Sequence, residues 1–197
     1  MTDAVALLGD RPVFSIMTVI DGRHRVCGAF AGGLNESFEA GVAKSREVYS
    51  VDVSGNTAVA GAFNDAEVAY DAGAAYVFRF KGSTWTLDQK LTASDGAQGD
   101  FFGHAVAIAG SRIIVGAHLN DDLGNKSGSA YIFHDSGAQW YEQAKLLASD
   151  GGASDYFGKS VAIDGDVAVI GAEGDDDMGY QSGAAYVFHR VGASWLE

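Results

Sequence analysis

A repeat of 55 residues runs through most of the chain and limits the folds it can adopt. The segment "SGSAYIF" at 127–133 returns as "SGAAYVF" at 182–188. When residues 95–142 are laid over 150–197 without a gap, 24 of the 48 aligned positions are identical. A fixed period of this length is typical of proteins built from stacked copies of one structural unit. The copies span 40–94, 95–149 and 150–197.

The repeat is degenerate toward the N-terminus. Where the later copies read "FFGHAVAIAG" and "YFGKSVAIDG", the first copy reads "EVYSVDVSG" and lacks the Phe-Gly pair. Residues 1–39 form a degenerate segment, although "FSIMTVIDGRHRVCGAF" at 14–30 echoes landmarks of residues 157–173. This echo is either an eroded, shortened fourth blade or chance similarity, and both interpretations stay open.

Each period contains four short runs that are typical of β-strands. In the second copy they are "HAVAIAG", "SRIIVGA", "GSAYIFHD" and "WYEQAKLLA", separated by turn residues. No stretch keeps an amphipathic helical period over three turns. Four strands per period predict an all-β fold of four-stranded antiparallel β-propeller blades. Trp85, Trp140 and Trp195 recur at the repeat spacing, and their size favours packing between neighbouring blades over sugar binding.

The copies predict an incomplete ring of about three blades. Propellers typically need about four to eight blades. An open end exposes apolar surface and unpaired strand edges, which favour association. We therefore expect either self-association between chains or a longer chain that supplies the missing blades.

These motifs resemble the FG-GAP repeats of the integrin-alpha type of β-propeller, and the longer bacterial FG-GAP pattern is nearer still. The resemblance rests on Phe102-Gly103, Phe157-Gly158, the Gly-Ala pairs and "KLTASDG" at 90–96. It implies a seven-bladed ring, extracellular or cell-envelope placement, and cell adhesion or the binding of proteins or glycans. It also implies calcium held between the first and second strands. The turns at that position here, "SGN", "AGS" and "DGD", are too short for about six to eight oxygen ligands.

Clustered aspartates define the candidate functional surface. In an up-and-down blade, the loop between strands two and three (the 2–3 loop) shares a face with the connection to the next blade (the 4–1 loop). The acids of the 2–3 loops, considered as a metal site, are Asp121, Asp122, Asp175, Asp176 and Asp177. The acids of the 4–1 loops, considered as an acidic recognition face, are Asp95, Asp100, Asp150 and Asp155.

Three interpretations of these acids stay open. Because Asp and Gly favour turns, the acids can be solvated loop residues that bind nothing. Carboxylate oxygens suit Ca²⁺, which is the one cofactor considered, and no cofactor is certain. An acidic surface also suits a basic protein partner that binds without metal.

Composition excludes several classes of function. The net charge of −13 at pH 7 argues against nucleic acid and anionic membranes as partners, because both bind basic surfaces. The single cysteine, Cys27, leaves no intrachain disulfide and no paired-cysteine zinc site. No apolar run approaches the length of about 18 residues that a membrane-spanning helix needs. No signal peptide is expected. No common catalytic motif is present, and a metal-hydrolase site of His104, His118 and Asp95 is a minor alternative.

We expect a non-catalytic binding or scaffold module of a bacterial surface or secreted protein. It would recognise a protein or glycan through its acidic loop face. One alternative is the non-catalytic propeller part of a larger secreted hydrolase, and another is a degenerate fragment without activity.

Overall fold

The computed structural model describes residues 15–17, 27–29, 50–82 and 84–197, and its regular structure is entirely β-sheet. A short sheet pairs β1 (Ser15–Met17) with β2 (Cys27–Ala29). The first four-stranded sheet contains β3 (Ser50–Ser54), β4 (Thr57–Ala62), β5 (Ala74–Phe80) and β6 (Trp85–Leu91). The second contains β7 (Ala105–Ala109), β8 (Arg112–Ala117), β9 (Ser129–Asp135) and β10 (Trp140–Leu146). The third contains β11 (Phe157–Asp164), β12 (Val167–Ala172), β13 (Ala184–Val191) and β14 (Ser194–Leu196).

These three sheets confirm the prediction of an all-β fold built from four-stranded antiparallel blades. In each sheet the strands lie in chain order, so every strand pairs with its neighbours in sequence. The three sheets do not close into a ring. Within the described ranges, no helix is long and apolar enough to cross a membrane. The prediction of an eroded blade in 1–39 falls on a segment of which only β1 and β2 are described, so it stays a prediction.

Successive sheets pack face to face through apolar cores. Val59 and Val77 of the first sheet share a core with Val115 of the second, and all three are fully buried. Ile132 of the second sheet shares the next core with Phe157 of the third. Because β4 and β8 are buried on both faces along nearly their whole length, their sequences are largely continuous apolar runs and not alternating ones.

The recurring tryptophans are packing residues, as predicted. Trp85, Trp140 and Trp195 are exposed by only 3, 2 and 8%, and each belongs to one of the cores. A buried aromatic side chain removes on the order of 150–250 Å² from water. At about 25 cal/mol per Å², each tryptophan therefore contributes several kcal/mol to burial.

A Phe-Gly pair joins the third sheet to the second. The Phe157 amide donates to the Ser127 carbonyl at 2.9 Å, and Phe157 forms a parallel bridge with Gly128. A Cβ added at Gly128 would lie 2.0 Å from the Phe157 carbonyl oxygen, and one at Gly158 would lie 2.3 Å from that of Ser129. Only glycine permits this approach of two backbones. The equivalent contacts between the first and second sheets are made by Ala72, Gly73, Ala74, Phe102 and Gly103. We call this arrangement the Phe-Gly joint.

Candidate functional site

The 2–3 and 4–1 loops form one surface, which we call the loop face. Its segments are 63–73, 92–104, 118–128, 147–156 and 173–183. Tyr186 connects the two kinds of loop, because its hydroxyl oxygen lies 2.7 Å from a carboxylate oxygen of Asp150 and 2.9 Å from one of Asp175. In the second sheet, the side-chain amide of Asn120 donates to Asp100 at 3.2 Å. The structure therefore brings the acids of the two kinds of loop together.

Three of the predicted site residues are buried within this surface. Asp100, Asp155 and Asp175 are exposed by 4, 7 and 5%. The Asp100 carboxylate accepts the Ala97 amide at 2.9 Å, and that of Asp155 accepts the Gly152 amide at 2.5 Å. Burial raises the pKa of Asp100, because the charged form loses hydration. These acids shape the loops from within, so the surface offered to a ligand consists of the others.

Lysines of the fourth strands neutralise acids in the first two sheets. The Lys90 Nζ lies 2.8 Å from Asp65 and 2.6 Å from Glu67. Burial raises the pKa of Asp65, but hydrogen bonds, led by that from Lys90, outweigh it and the net pKa is lowered. Lys145 is the equivalent lysine of the second sheet. Neither Lys90 nor Lys145 was among the predicted site residues, although their 55-residue spacing signals a shared role. The ion pairs of the second sheet join Lys145 to Asp95 and Asp122.

The acids of the third sheet carry uncompensated charge. Asp176 and Asp177 are exposed, and in the described part of the chain no ion pair involves them, Asp150 or Asp175. The charges of Asp175 and Asp150 raise the pKa of Asp177. Of the loops that the structure describes, those of the third sheet are the most anionic part of the loop face.

Exposed apolar side chains stand beside these acids at the tip of every 2–3 loop. Val68, Leu123 and Met178 occupy equivalent positions of the repeat and are exposed by 51, 43 and 91%. Two residues further on, Tyr70 and Tyr180 are exposed by 69 and 89%. None of these apolar residues was among the predicted site residues, although their 55-residue spacing was a signal that could have revealed them. The loop face thus combines negative charge with a repeated row of apolar contacts.

The residues present do not suit a calcium site between first and second strands. Those turns contain only two residues, which cannot supply about six to eight oxygens. In the 2–3 loops, Asp175 accepts the Tyr186 hydroxyl and Asp121 accepts the Lys126 amide at 2.7 Å. Across the described ranges, no group of three or more His, Cys, Asp and Glu side chains is arranged to hold a metal ion. Calcium binding at the 2–3 loops stays a prediction.

Two histidines meet at the inner end of the loop face. The rings of His104 and His118 lie 4.1 Å apart between centroids, and Phe101 packs against His118 at 5.9 Å. Burial lowers the pKa of His118 to about 3, and burial with the charge of Lys159 lowers that of His104. Both imidazoles are therefore neutral at pH 7. Asp95, the third member of the minor hydrolase hypothesis, bonds instead to Tyr131 and Lys145, with the Tyr131 hydroxyl at 2.8 Å.

This buried pair predicts a loss of stability in mild acid. Below about pH 6.5, these two histidines bind more protons in the unfolded chain than they do as a buried pair in the folded chain. The free energy of unfolding should therefore fall by up to about 1.4 kcal/mol per pH unit for His118 as pH drops from 6.5 toward 4, and the lowered pKa of His104 adds to the loss. His118→Phe, which imports the equivalent residue Phe63, should reduce this slope in urea unfolding measured across that range.

The matched control is His189→Gln, since His189 is exposed in the third sheet. It should leave the wild-type slope unchanged. Aspartates with lowered pKa values, such as Asp65, begin to lose their contribution only below about pH 5, and they do so in wild type and in both variants alike. If His118→Phe and wild type lose stability equally between pH 6.5 and 4, the histidine explanation is wrong.

Comparison with known families gives two adjacent matches. The FG-GAP repeat model matches residues 85–133 and 140–188. Each match contains the fourth strand of one sheet, the first two strands of the next and most of its third strand, so each one includes a Phe-Gly pair. No curated protein shows a significant match to the chain.

FG-GAP repeats form β-propeller-like modules that often serve in binding or scaffolding. Such modules are generally non-catalytic, and the repeats are typical of extracellular proteins. The two matched segments, the four-stranded sheets and the recurring joints agree with one another. The chain therefore belongs to the FG-GAP repeat family.

Proposed function

We propose that this chain is a non-catalytic recognition module of a bacterial surface or secreted protein, and that its loop face binds a basic protein segment. One observation carries the proposal: every 2–3 loop presents an exposed apolar side chain among acids. These side chains are Val68, Leu123 and Met178.

The chemistry of this surface fits a cationic and partly apolar ligand. Methionine and tyrosine are enriched at protein interfaces relative to the rest of the surface. Met178 and Tyr180 are the two most exposed large apolar residues described, and Asp176 and Asp177 lie directly beside them in sequence. Carboxylates attract a basic partner over long range, while apolar contacts add affinity that salt does not screen.

The non-catalytic part of the proposal is supported by the family and by the histidines. FG-GAP modules are generally non-catalytic. His118 is 4% exposed and its pKa is lowered to about 3, so it is a poor general base for a substrate in solvent. The loops that carry variable side chains on a rigid scaffold are instead the parts that usually recognise ligands.

The experiment is selection from a random peptide library against the full chain. We expect the enriched peptides to contain Lys or Arg together with apolar residues, and to bind less tightly as salt increases. The triple variant Val68→Ser, Leu123→Ser, Met178→Ser should bind them at least about tenfold more weakly, equivalent to about 1.4 kcal/mol. The control variant Leu87→Ser, Tyr141→Ser alters similarly exposed residues of the fourth strands and should bind normally.

Two outcomes would contradict the proposal. One is enrichment of neutral or acidic peptides whose binding ignores salt, and the other is equal binding by the triple variant and the control. Repeating the titration in calcium and in chelator separates the calcium prediction from the peptide-binding proposal, because the row of apolar residues does not depend on metal.

A further inference from the structure

Met178 is the most exposed large apolar residue of the described ranges, with an exposed fraction of 91%. It lies at the tip of the 2–3 loop of the third sheet. The equivalent residues Val68 and Leu123 are still exposed by 51 and 43%, although a following sheet packs against the sheet of each. Exposure is therefore a property of this loop position, with or without a following sheet.

Main-chain hydrogen bonds hold Met178 at the tip. The Gly179 amide donates to the Asp176 carbonyl at 2.9 Å, so Met178 is the third residue of a four-residue turn. The Gly183 amide closes the loop by donating to the Asp175 carbonyl, also at 2.9 Å. The equivalent loop of the second sheet has the same two bonds. The conformation of the loop thus depends on the backbone, and the Met178 side chain takes no part in these bonds.

The Met178 side chain carries the one sulfur atom among the side chains that the structure describes. A thioether reacts with a peroxide to give a sulfoxide, whereas the valine and leucine at the equivalent positions do not. The sulfur attacks one peroxide oxygen, and a sulfur–oxygen bond forms as the oxygen–oxygen bond breaks. The sulfur loses two electrons, and the departing hydroxide takes the proton of the transferred hydroxyl and leaves as water. The neighbouring carboxylates of Asp176 and Asp177 do not repel hydrogen peroxide, because it is uncharged.

This reaction changes the chemistry of the surface and not the fold. Oxidation converts a flexible apolar side chain into a polar one. One of the three apolar contacts of the row formed by Val68, Leu123 and Met178 would then present a polar oxygen. Burying that oxygen against an apolar ligand group costs free energy unless the ligand donates a hydrogen bond to it. The oxidised loop should therefore keep its shape and bind an apolar ligand group less tightly.

We propose that Met178 is a reversible oxidation site, and that its conversion to the sulfoxide by a peroxide weakens the binding of a basic protein segment to the loop face. This inference rests on the proposed function. A methionine sulfoxide reductase reverses the step with a dithiol as reductant. The sulfoxide oxygen leaves as water, the dithiol becomes a disulfide, and the thioether is restored. The module would bind its partner less tightly under oxidising conditions and recover after reduction.

The first measurement is the rate of oxidation. The full chain is treated with hydrogen peroxide in buffer and, separately, in urea, and the mass of the fragment that contains Met178 is followed over time. The folded chain should react within about twofold of the rate of the unfolded chain, because the thioether is already exposed. A rate that is at least about tenfold lower in the folded chain would overturn the proposal, since the sulfur would then be shielded.

The second measurement is the binding of the selected basic peptides, in versions without methionine or cysteine, after the peroxide has been removed. The oxidised chain should bind them at least about threefold more weakly than the untreated chain. Methionine sulfoxide reductase should restore the binding. The matched variant Met178→Leu, which imports the equivalent residue Leu123, should bind the peptides equally before and after peroxide treatment.

Two binding results would overturn the proposal. One is equal binding by the oxidised and the untreated chain. The other is a loss after peroxide that is as large in Met178→Leu as in the wild type, because the effect would then arise elsewhere in the chain. The oxidation rate is measured without any peptide, and the triple serine variant tests the loop face without peroxide, so the failure of this proposal is distinguishable from that of the proposed function.

Discussion

Gly128→Ala is expected to lower the free energy of unfolding by more than about 4 kcal/mol or to prevent folding. Gly128 has a φ of 86°, and its added Cβ would lie 2.0 Å from the Phe157 carbonyl oxygen. The added Cβ would collide with a backbone atom in the joint between the second and third sheets. The contact therefore cannot be relieved by the movement of a flexible side chain. Chemical unfolding, followed by far-ultraviolet circular dichroism, measures the loss.

Gly137→Ala is the matched control for this variant. Gly137 has a φ of 85°, but a Cβ there would have nothing within 4 Å. It should therefore cost only the strain of a left-handed backbone, about 1–2 kcal/mol. The difference between the two variants isolates the close approach in the joint. Equal losses would show that the joint does not hold the sheets at the distance described.

Phe157→Ala is expected to cost about 3–5 kcal/mol of unfolding free energy. The Phe157 side chain is 1% exposed, and its ring packs edge-on against Tyr186 at 5.3 Å and Phe188 at 6.1 Å. Its removal leaves a cavity between two sheets that pack on both sides of it, and rigid sheets cannot collapse into that space. Urea unfolding of the variant and the wild type provides the comparison.

Two further variants bracket this result. Phe157→Leu retains most of the apolar volume and should cost clearly less than the alanine variant. Tyr70→Ala removes an aromatic ring that is 69% exposed and should change stability by less than about 0.5 kcal/mol. A loss below about 1 kcal/mol for Phe157→Ala would contradict a buried role in the joint.

The sheets were predictable because their signals are local and repeated. Alternation around Tyr131 and Phe133, continuous apolar runs at 105–109 and 113–117, and turn residues between them define strands without knowledge of their partners. The 55-residue spacing of the tryptophans then indicated packing, and their low exposure confirms it. Strand order alone also placed the acidic loops on one side of the blades.

The details of the loop face were not predictable in the same way, because they depend on contacts between distant loops. Asp100 is buried by its contact with Asn120, which lies 20 residues further along the chain. Lys145 meets Asp95 across 50 residues, so its role emerges only when the fourth strand is placed in the sheet. His104 and His118 become neighbours because a hairpin returns the chain to its starting end. The acid clusters in the sequence therefore could not show which carboxylates are buried within the loops and which are exposed.

The decisive measurement is a titration of the isotope-labelled chain with a selected basic peptide, followed by amide chemical shifts. If the loop face is the recognition surface, shifts should concentrate in the 2–3 loops around Val68, Leu123 and Met178, and they should weaken in the triple serine variant. Shifts confined to the outer strands near Leu87 and Tyr141, with the three loops unchanged, would contradict recognition through the loop face.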